Sequence, residues 1–382
     1  MARALYIHWP FCLKKCPYCD FNSHVRDHVD QNQWRDALLT DLRYEAAVAN
    51  SGPLTSIFFG GGTPSLMPPA TVAALLHEAD RLWGFADDIE ITLEANPSSV
   101  EAERFAALAD AGVNRVSLGV QALDDAALQF LGRLHGVEEA LRALDTAQAR
   151  FKRVSFDLIY GRPEQTAAQW EAELRQALRF GTEHISLYQL TIEPQTRFAT
   201  EVRRGRLVMP GEDVQADLLA LTRTVTADAG LPAYEVSNFA RPGEESRHNL
   251  TYWRYQDYAG VGPGAHGRRG GRATVRHSKP ENWLNSVVRH GHGLSEERSL
   301  SPDEAVGEAM MMGLRLVEGV NLEEIGQRWP DWRTVVDLRK LELLTRLGLV
   351  SHDDRRLRLT HSGAPVLDAV LGELLRPLAE AA

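Results

Sequence analysis

Cysteine is scarce in this chain. Only three occur in 382 residues, all within eight positions of one another as Cys12, Cys16 and Cys19 in the run YIHWPFCLKKCPYCDFNSH. The scarcity excludes a disulfide framework, since one pairing would strand the third thiol. It also excludes a four-cysteine metal site. Zinc normally takes four ligands in paired sets, and the soft ligands near the cysteines, His8, His24 and His28, are not at finger spacing. Three thiolates on one short loop suit three corner irons of a [4Fe–4S] cubane, which leaves the fourth iron to an outside ligand.

Other features are missing too. No apolar run approaches the ~20 residues of a membrane span. A cleavable leader is not expected, because the first strand and the cysteine loop begin almost at Met1. Positive charge is not in excess: 42 Lys plus Arg against 52 Asp plus Glu give a net −10, which argues against general affinity for nucleic acid. The expected compartment is the reducing cytoplasm. At 44% hydrophobic residues the chain can bury a large core and a second, smaller one.

What is present is a repeated β-then-α pattern. Strands are expected at Ala4–His8, Thr55–Phe59, Ile89–Glu94, Arg115–Val120, Val154–Ile159 and His184–Leu190, with helices near 33–49, 69–82, 100–111, 136–149, 167–180 and 212–229. Six such units predict a parallel sheet with right-handed crossovers, either an incomplete (β/α)6 barrel or an open doubly wound sheet. In both, ligands sit at the carboxyl ends of the strands. Polar residues fall at those ends: Gly60-Gly61-Gly62-Thr63-Pro64 after strand two, Glu94 in LEANP, Gln121 in SLGVQ and Asp157 in DLIYGRP. A polar group at the end of a buried apolar run needs a partner, and four at equivalent ends favour one shared ligand.

The C-x3-C-x2-C loop behind a first strand resembles the radical S-adenosylmethionine (SAM) superfamily. That resemblance implies a (β/α)6 partial barrel, with SAM chelating the open iron through its amino and carboxylate groups. An electron from the reduced cluster then splits the sulfonium to give a 5′-deoxyadenosyl radical. The strings YIHWPFC, FFGGGTPS, LEANP, SLGVQ, DLIYGRP, YQLTIEP, RHNLTYW and GVGPGAHG narrow the likeness to the oxygen-independent coproporphyrinogen III dehydrogenase group and, inside it, to the HemW-type haem chaperones. Carried over, the family's SAM contacts fall on Tyr6, Tyr18, Gly61, Gly62, Thr63, Glu94, Gln121, Arg133, Asp157, Thr191 and, in a late position, His266. Glu94 and Asp157 suit ribose hydroxyls, and Arg133 suits a carboxylate through paired N–H donors.

Two departures separate the chain from the dehydrogenase: Cys19 is followed by Asp20 and Phe21 where that enzyme has a further cysteine, and five residues precede Tyr6. Both argue against porphyrinogen decarboxylation, which stays as the alternative function, and against a second SAM. The chaperone likeness rests on His248-Asn249-Leu250-Thr251-Tyr252-Trp253, the HNxxYW motif. There a neutral imidazole suits haem iron and the neighbouring aromatics a porphyrin face. A hydrogen-bonded structural role for His248 is the other reading, and His266 and His277 are alternative ligands.

The expected domains are a partial barrel over 1–235, a connecting segment with the motif and a Gly-rich loop over 236–295, and a mainly helical, winged-helix-like domain over 296–382. The last has helices at Pro302–Leu316, Leu322–Arg328 and Thr334–Leu347 and a hairpin around Asp353-Asp354. The basic run Arg268 to Arg272 reads as a loop whose cations could meet haem propionates. The expected cofactors are a [4Fe–4S] cluster, SAM and haem. The expected partners are an electron donor for the cluster and a respiratory haem-accepting protein; peripheral contact with a membrane is compatible with that role.

Overall fold

The computed structural model describes residues 4–49 and 52–376, so the outer ends of the first and last expected domains lie outside it. The six expected strands form as β1 (Ala4–Trp9), β2 (Leu54–Gly61), β3 (Phe85–Ala95), β4 (Arg115–Gln121), β5 (Arg153–Tyr160) and β6 (His184–Gln189). Each pairs in parallel with the next. Chain order and sheet order coincide here, with none of the reversal that a doubly wound sheet requires. Right-handed crossovers therefore leave the connecting helices on one face, and the sheet curls as a partial barrel.

The connecting helices are α1 (Gln31–Val48), α2 (Pro69–Trp83), α3 (Val137–Arg150), α4 (Ala167–Leu178) and α5 (Glu212–Asp228). The helix expected at 100–111 is broken into Ser99–Ala102 and Phe105–Asp110. Alternate strand residues, among them Leu5, Ile7, Ile57, Phe59, Ile91, Leu93, Val116, Leu118, Phe156, Leu158, Ile185 and Leu187, join the helices in the main apolar core.

Residues 236–295 extend the same sheet. Strand β7 (Asn238–Ala240) pairs antiparallel with β6, and after α6 (Arg247–Trp253) strand β8 (Tyr258–Val261) pairs parallel with β1. Strands β9 (His266–Arg269), β10 (Arg272–Arg276) and β11 (Leu294–Ser299) follow as antiparallel neighbours, with α7 (Pro280–His290) between the last two. The eleven strands run β11-β10-β9-β8-β1-β2-β3-β4-β5-β6-β7. The basic run Arg268 to Arg272 is thus a hairpin and not a loop. Arg268 is buried with its guanidinium 3.5 Å over the Tyr255 ring, and Arg269 is buried against Glu45 and Glu297. These cations are already committed, because a charged side chain is buried only when paired.

The C-terminal part has its own core around α8 (Pro302–Gly313), α9 (Leu322–Arg328), α10 (Leu338–Arg346) and α11 (Leu367–Leu374). Its three short strands, β12 (Val320–Asn321), β13 (Val350–His352) and β14 (Arg356–Leu359), pair in the order β12-β14-β13. Among the described residues no helix is long and apolar enough to cross a membrane.

The outer hairpin is held to α1 by a sealed ionic cluster. Arg276, fully buried, donates from Nε to Asp41 Oδ2 at 2.7 Å and from Nη2 to Glu45 Oε2 at 2.9 Å. The amides of Gly262 and Gly293 also donate to Asp41. Arg276→Ala leaves buried Asp41 without its cation and Glu45 with Arg269 alone, and is expected to cost about 3–5 kcal/mol. Chemical denaturation read against wild type checks this.

Candidate functional site

Inside the curve, the side chains that alternate with the core residues are polar. Their hydrogen bonds cross from strand to strand: Arg115 donates to Ser155 (2.9 Å), Ser155 to Ser117 (3.0 Å) and Ser117 to Asp157 (3.3 Å). This column opens at the carboxyl ends of the strands into a cavity of about 330 Å³. The sequence-predicted residues Cys12, Cys16, Cys19, Tyr18, Gly61, Gly62, Thr63, Glu94, Arg133 and Asp157 all line it.

The three cysteines are free and half-buried. Thr63 Oγ1 lies 3.4 Å from Cys12 Sγ, Arg133 Nη1 lies 3.4 Å from Cys16 Sγ, and Ser23 Oγ lies 3.9 Å from Cys19 Sγ. Each sulfur thus has a polar neighbour able to donate to a thiolate. Burial pushes the Cys12 and Cys19 thiols above their ordinary pKa. Among the described residues no three His, Cys, Asp or Glu side chains are grouped so as to hold one metal ion, as a zinc site would require. Three thiols on one cavity, each beside its own donor, fit the separate irons of a cubane.

The Gly60–Pro64 loop is fastened to the cysteine loop through its backbone. Gly62 N donates to Trp9 O (2.7 Å) and Thr63 N to Phe11 O (2.9 Å). A Cβ on Gly62 would stand 2.7 Å from Phe11 O, and one on Gly61, where φ is +114°, would stand 2.6 Å from the His8 ring. Only glycine permits both approaches. Arg133 Nη2 donates to Asn96 Oδ1 (2.5 Å) and Gly119 O (3.0 Å), while its buried Nε has no partner. A guanidinium held this way, with a donor to spare, fits a carboxylate ligand such as that of SAM.

Glu94 and Asp157 are half-buried on the cavity wall, and the Asp157 charge opposes ionisation of Glu94. Burial first, and the Asp157 charge second, push Glu94 up to about 8; burial pushes Asp157 up to about 6. Gly61 N donates to Glu94 at 3.3 Å. Two carboxyl groups poised in this way at one cavity suit hydroxyl or amino groups of a ligand.

Five predicted residues do not line the cavity. Tyr6 lies behind it and donates to His8. Gln121 ends β4 in the left-handed region, with φ +73°. Thr191 is exposed and donates to Glu193 at 3.1 Å, and His266 is exposed at the start of β9. His248 is sealed, at 1% exposure, between Ser56 Oγ (3.2 Å from Nδ1) and Tyr252 Oη (2.5 Å from Nε2). Burial pushes its pKa down to about 3, so the ring is neutral. Both nitrogens are thus engaged inside the barrel, and His248 does not line the strand-end cavity. The residues missed from sequence are Asn96, Glu101, Ser117 and Gly119. Asn96 stands in the LEANP string and Ser117 and Gly119 in SLGVQ, where their place beside Glu94 and Gln121 could have flagged them; nothing local marked Glu101.

The carboxyl shifts set a pH dependence. Between the ordinary carboxyl range, about 4.5, and about 8, the folded state binds more protons at Glu94 than the unfolded chain, so stability falls as pH rises through that window. Glu94→Gln removes this term. The thermal midpoint of the SAM-free variant relative to wild type is therefore expected to be higher at pH 8.5 than at pH 6, as measured by calorimetry at both.

Comparison with known proteins agrees with this geometry. Residues 6–177 match the radical SAM superfamily model and residues 300–366 the HemN C-terminal domain model. The chain is 42% identical to "Radical S-adenosyl methionine domain-containing protein 1, mitochondrial" of Mus musculus, over 99% of this chain and 88% of that one. It is 33% identical to "Heme chaperone HemW" of Bacillus subtilis, over 97% of this chain and all of that one. With the protein of the same name from Escherichia coli, identity is 39% over 82% of this chain and 83% of that one. The solved structure of Escherichia coli coproporphyrinogen III oxidase (HemN) superposes with a TM-score of 0.82 over 97% of this chain and 89% of that one; at 23% identity it speaks for the fold alone. The chain therefore belongs to the radical SAM superfamily and, within it, to the HemW family.

Proposed function

We propose that this protein is a haem carrier that holds a [4Fe–4S] cluster and SAM in the strand-end cavity and delivers haem to an acceptor protein. The observation that supports it most is the convergence of Cys12, Cys16 and Cys19 with Glu94, Arg133 and Asp157 on one cavity, in a chain that matches proteins called haem chaperones along most of its length. Cys12, Cys16 and Cys19 would hold three irons. Arg133 would take the SAM carboxylate, the Gly61–Thr63 backbone its amino group, and Glu94 with Asp157 its ribose hydroxyls. When bound and reduced, the cluster would supply one electron to the sulfonium of SAM.

The chain's own part is to orient and shelter. Arg133 is fixed by Asn96 and Gly119, so a carboxylate meets a preset donor. Ser117 and Asp157 line the cavity and are bonded to each other, so that wall is held in place as well. The acceptor is a respiratory haem protein in this reading, the electron donor a separate reductase system, and the compartment the cytoplasm. Because His248 is sealed, the exposed His266 and the half-buried His277 stand as the candidate iron ligands.

The decisive experiment is anaerobic reconstitution followed by haem titration, haem transfer to an apo-haem protein, and a coproporphyrinogen assay. Specific haem uptake and transfer without loss of propionate carboxyls is expected. Propionate loss without haem uptake would replace the carrier by the decarboxylase. In the same preparation, replacing Cys12, Cys16 or Cys19 by Ser should reduce bound iron from about four per chain to near none, because a protonated hydroxyl replaces a soft thiolate. Iron content and the visible cluster absorbance read this out.

A further inference from the structure

The HNxxYW histidine is among the motif residues that the strand-end cavity leaves without a role. Its surroundings suggest one. The His248 ring stacks on Phe58 (centroids 5.0 Å apart, 22° between planes) and lies against Tyr6 (6.3 Å, 32°), which itself stacks on Phe58 (6.3 Å, 25°). Three rings from β1, β2 and α6 thus brace one another inside the barrel, and Ser56 and Tyr252 lock the histidine from both nitrogens.

Tyr6 passes this position on. Its hydroxyl lies 2.9 Å from His8 Nδ1, and His8 Nε2 lies 2.8 Å from the carbonyl of Asn22. A carbonyl only accepts, so His8 carries its proton on Nε2; Nδ1 is then an acceptor and Tyr6 must donate to it. The direction of the relay is therefore fixed from Tyr6 to His8 to Asn22. Asn22 lies three residues beyond Cys19 on the cysteine loop.

The relay has little slack. A Cβ on Gly60 would stand 2.9 Å from Tyr6 Cε2, and one on Gly61 would stand 2.6 Å from His8 Cε1. Both rings rest directly on the bare backbone of the strand end that lines the cavity. A shift of Tyr6 or His8 must move either that backbone or the cysteine loop, since interiors are close-packed and transmit displacement.

We propose that His248 is a positioning residue for the cluster loop and the SAM cavity, acting through Tyr6 and His8, rather than a haem-iron ligand. The proposal rests on reading that cavity as the cluster and SAM site. It assigns the motif to the coupling between the barrel interior and the loop.

The test uses His248→Ala and, because that variant leaves a hole that could impair folding, Tyr6→Phe, which removes a single oxygen and breaks only the bond to His8. Three quantities are read on the full chain. They are amide hydrogen exchange at residues 20–24 in cluster-free protein, SAM affinity, and the electron paramagnetic resonance of the reduced cluster with SAM bound. Both variants should exchange about tenfold faster at 20–24 while β4 and β5 keep wild-type protection. SAM affinity should weaken about five- to tenfold, as for one lost hydrogen bond, with a shifted SAM-bound resonance. Wild-type exchange, affinity and resonance in both variants overturn the proposal, and loss of the haem Soret band in His248→Ala alongside them would make it an iron ligand. If wild-type protein takes up no haem, the carrier reading fails while this one is still decided by the exchange at 20–24. If wild-type protein holds no cluster or SAM, the exchange result still stands or falls on its own.

Discussion

Everything at the site depends on one constraint: six parallel strands follow one another in the sheet in the order of the chain. Right-handed crossovers then place all the helices outside. The outer face takes Leu, Ile, Val and Phe, and none of the crossover helices covers the inner face, which α6 meets through His248. It closes instead by curling and by filling with groups that bond to each other, from Arg115 through Ser155 and Ser117 to Asp157. The cavity is where that column runs out, at the strand ends, and the cysteine loop covers it because it leaves β1 at that same end.

How far this could be read from sequence depended on distance along the chain. The cysteine spacing, the glycine run and the polar strand ends are local patterns, and the strand order follows from repetition, so the barrel and ten of the cavity residues were legible. The extension of the sheet was not. Strands β9 and β10 carry Arg268, Arg269, Arg272 and Arg276, which look like a solvated loop. The α1 partners of Arg269 and Arg276, Glu45 and Asp41, sit more than two hundred residues earlier. Likewise the burial of His248 depends on Ser56 and Phe58, which no window around the motif contains. Ser117 and Gly119 fell on a strand already read as plain core, and their inward orientation appears only when the register is known.

The ring cluster at His248 also bears on what distinguishes the motif from a generic aromatic string. Tyr252 is bonded to His248 and packed edge-on against both His248 and Tyr258, while Asn249 Nδ2 reaches the Tyr234 hydroxyl at 3.3 Å. The residues of the motif therefore tie α6 to β1, β2 and β8 at once, closing the barrel on the side where β1 meets the added strands.

The cysteine loop is moored at both ends and in its middle. It leaves β1 under the Gly62 and Thr63 amides, and it returns into α1, whose Asp41 and Glu45 are welded to Arg276. Between these, the Asn22 side chain donates to the carbonyls of Pro263 (3.0 Å) and Ser278 (2.9 Å). Most of the chain entropy of closing that loop is thus lost when the barrel folds, before any iron arrives. Assembly of the proposed cluster would then resemble loading a built socket, in contrast to small zinc modules whose folding free energy is the binding free energy of the metal. Filling and emptying the socket with the proposed cluster would then not require the chain to pass through an unfolded state.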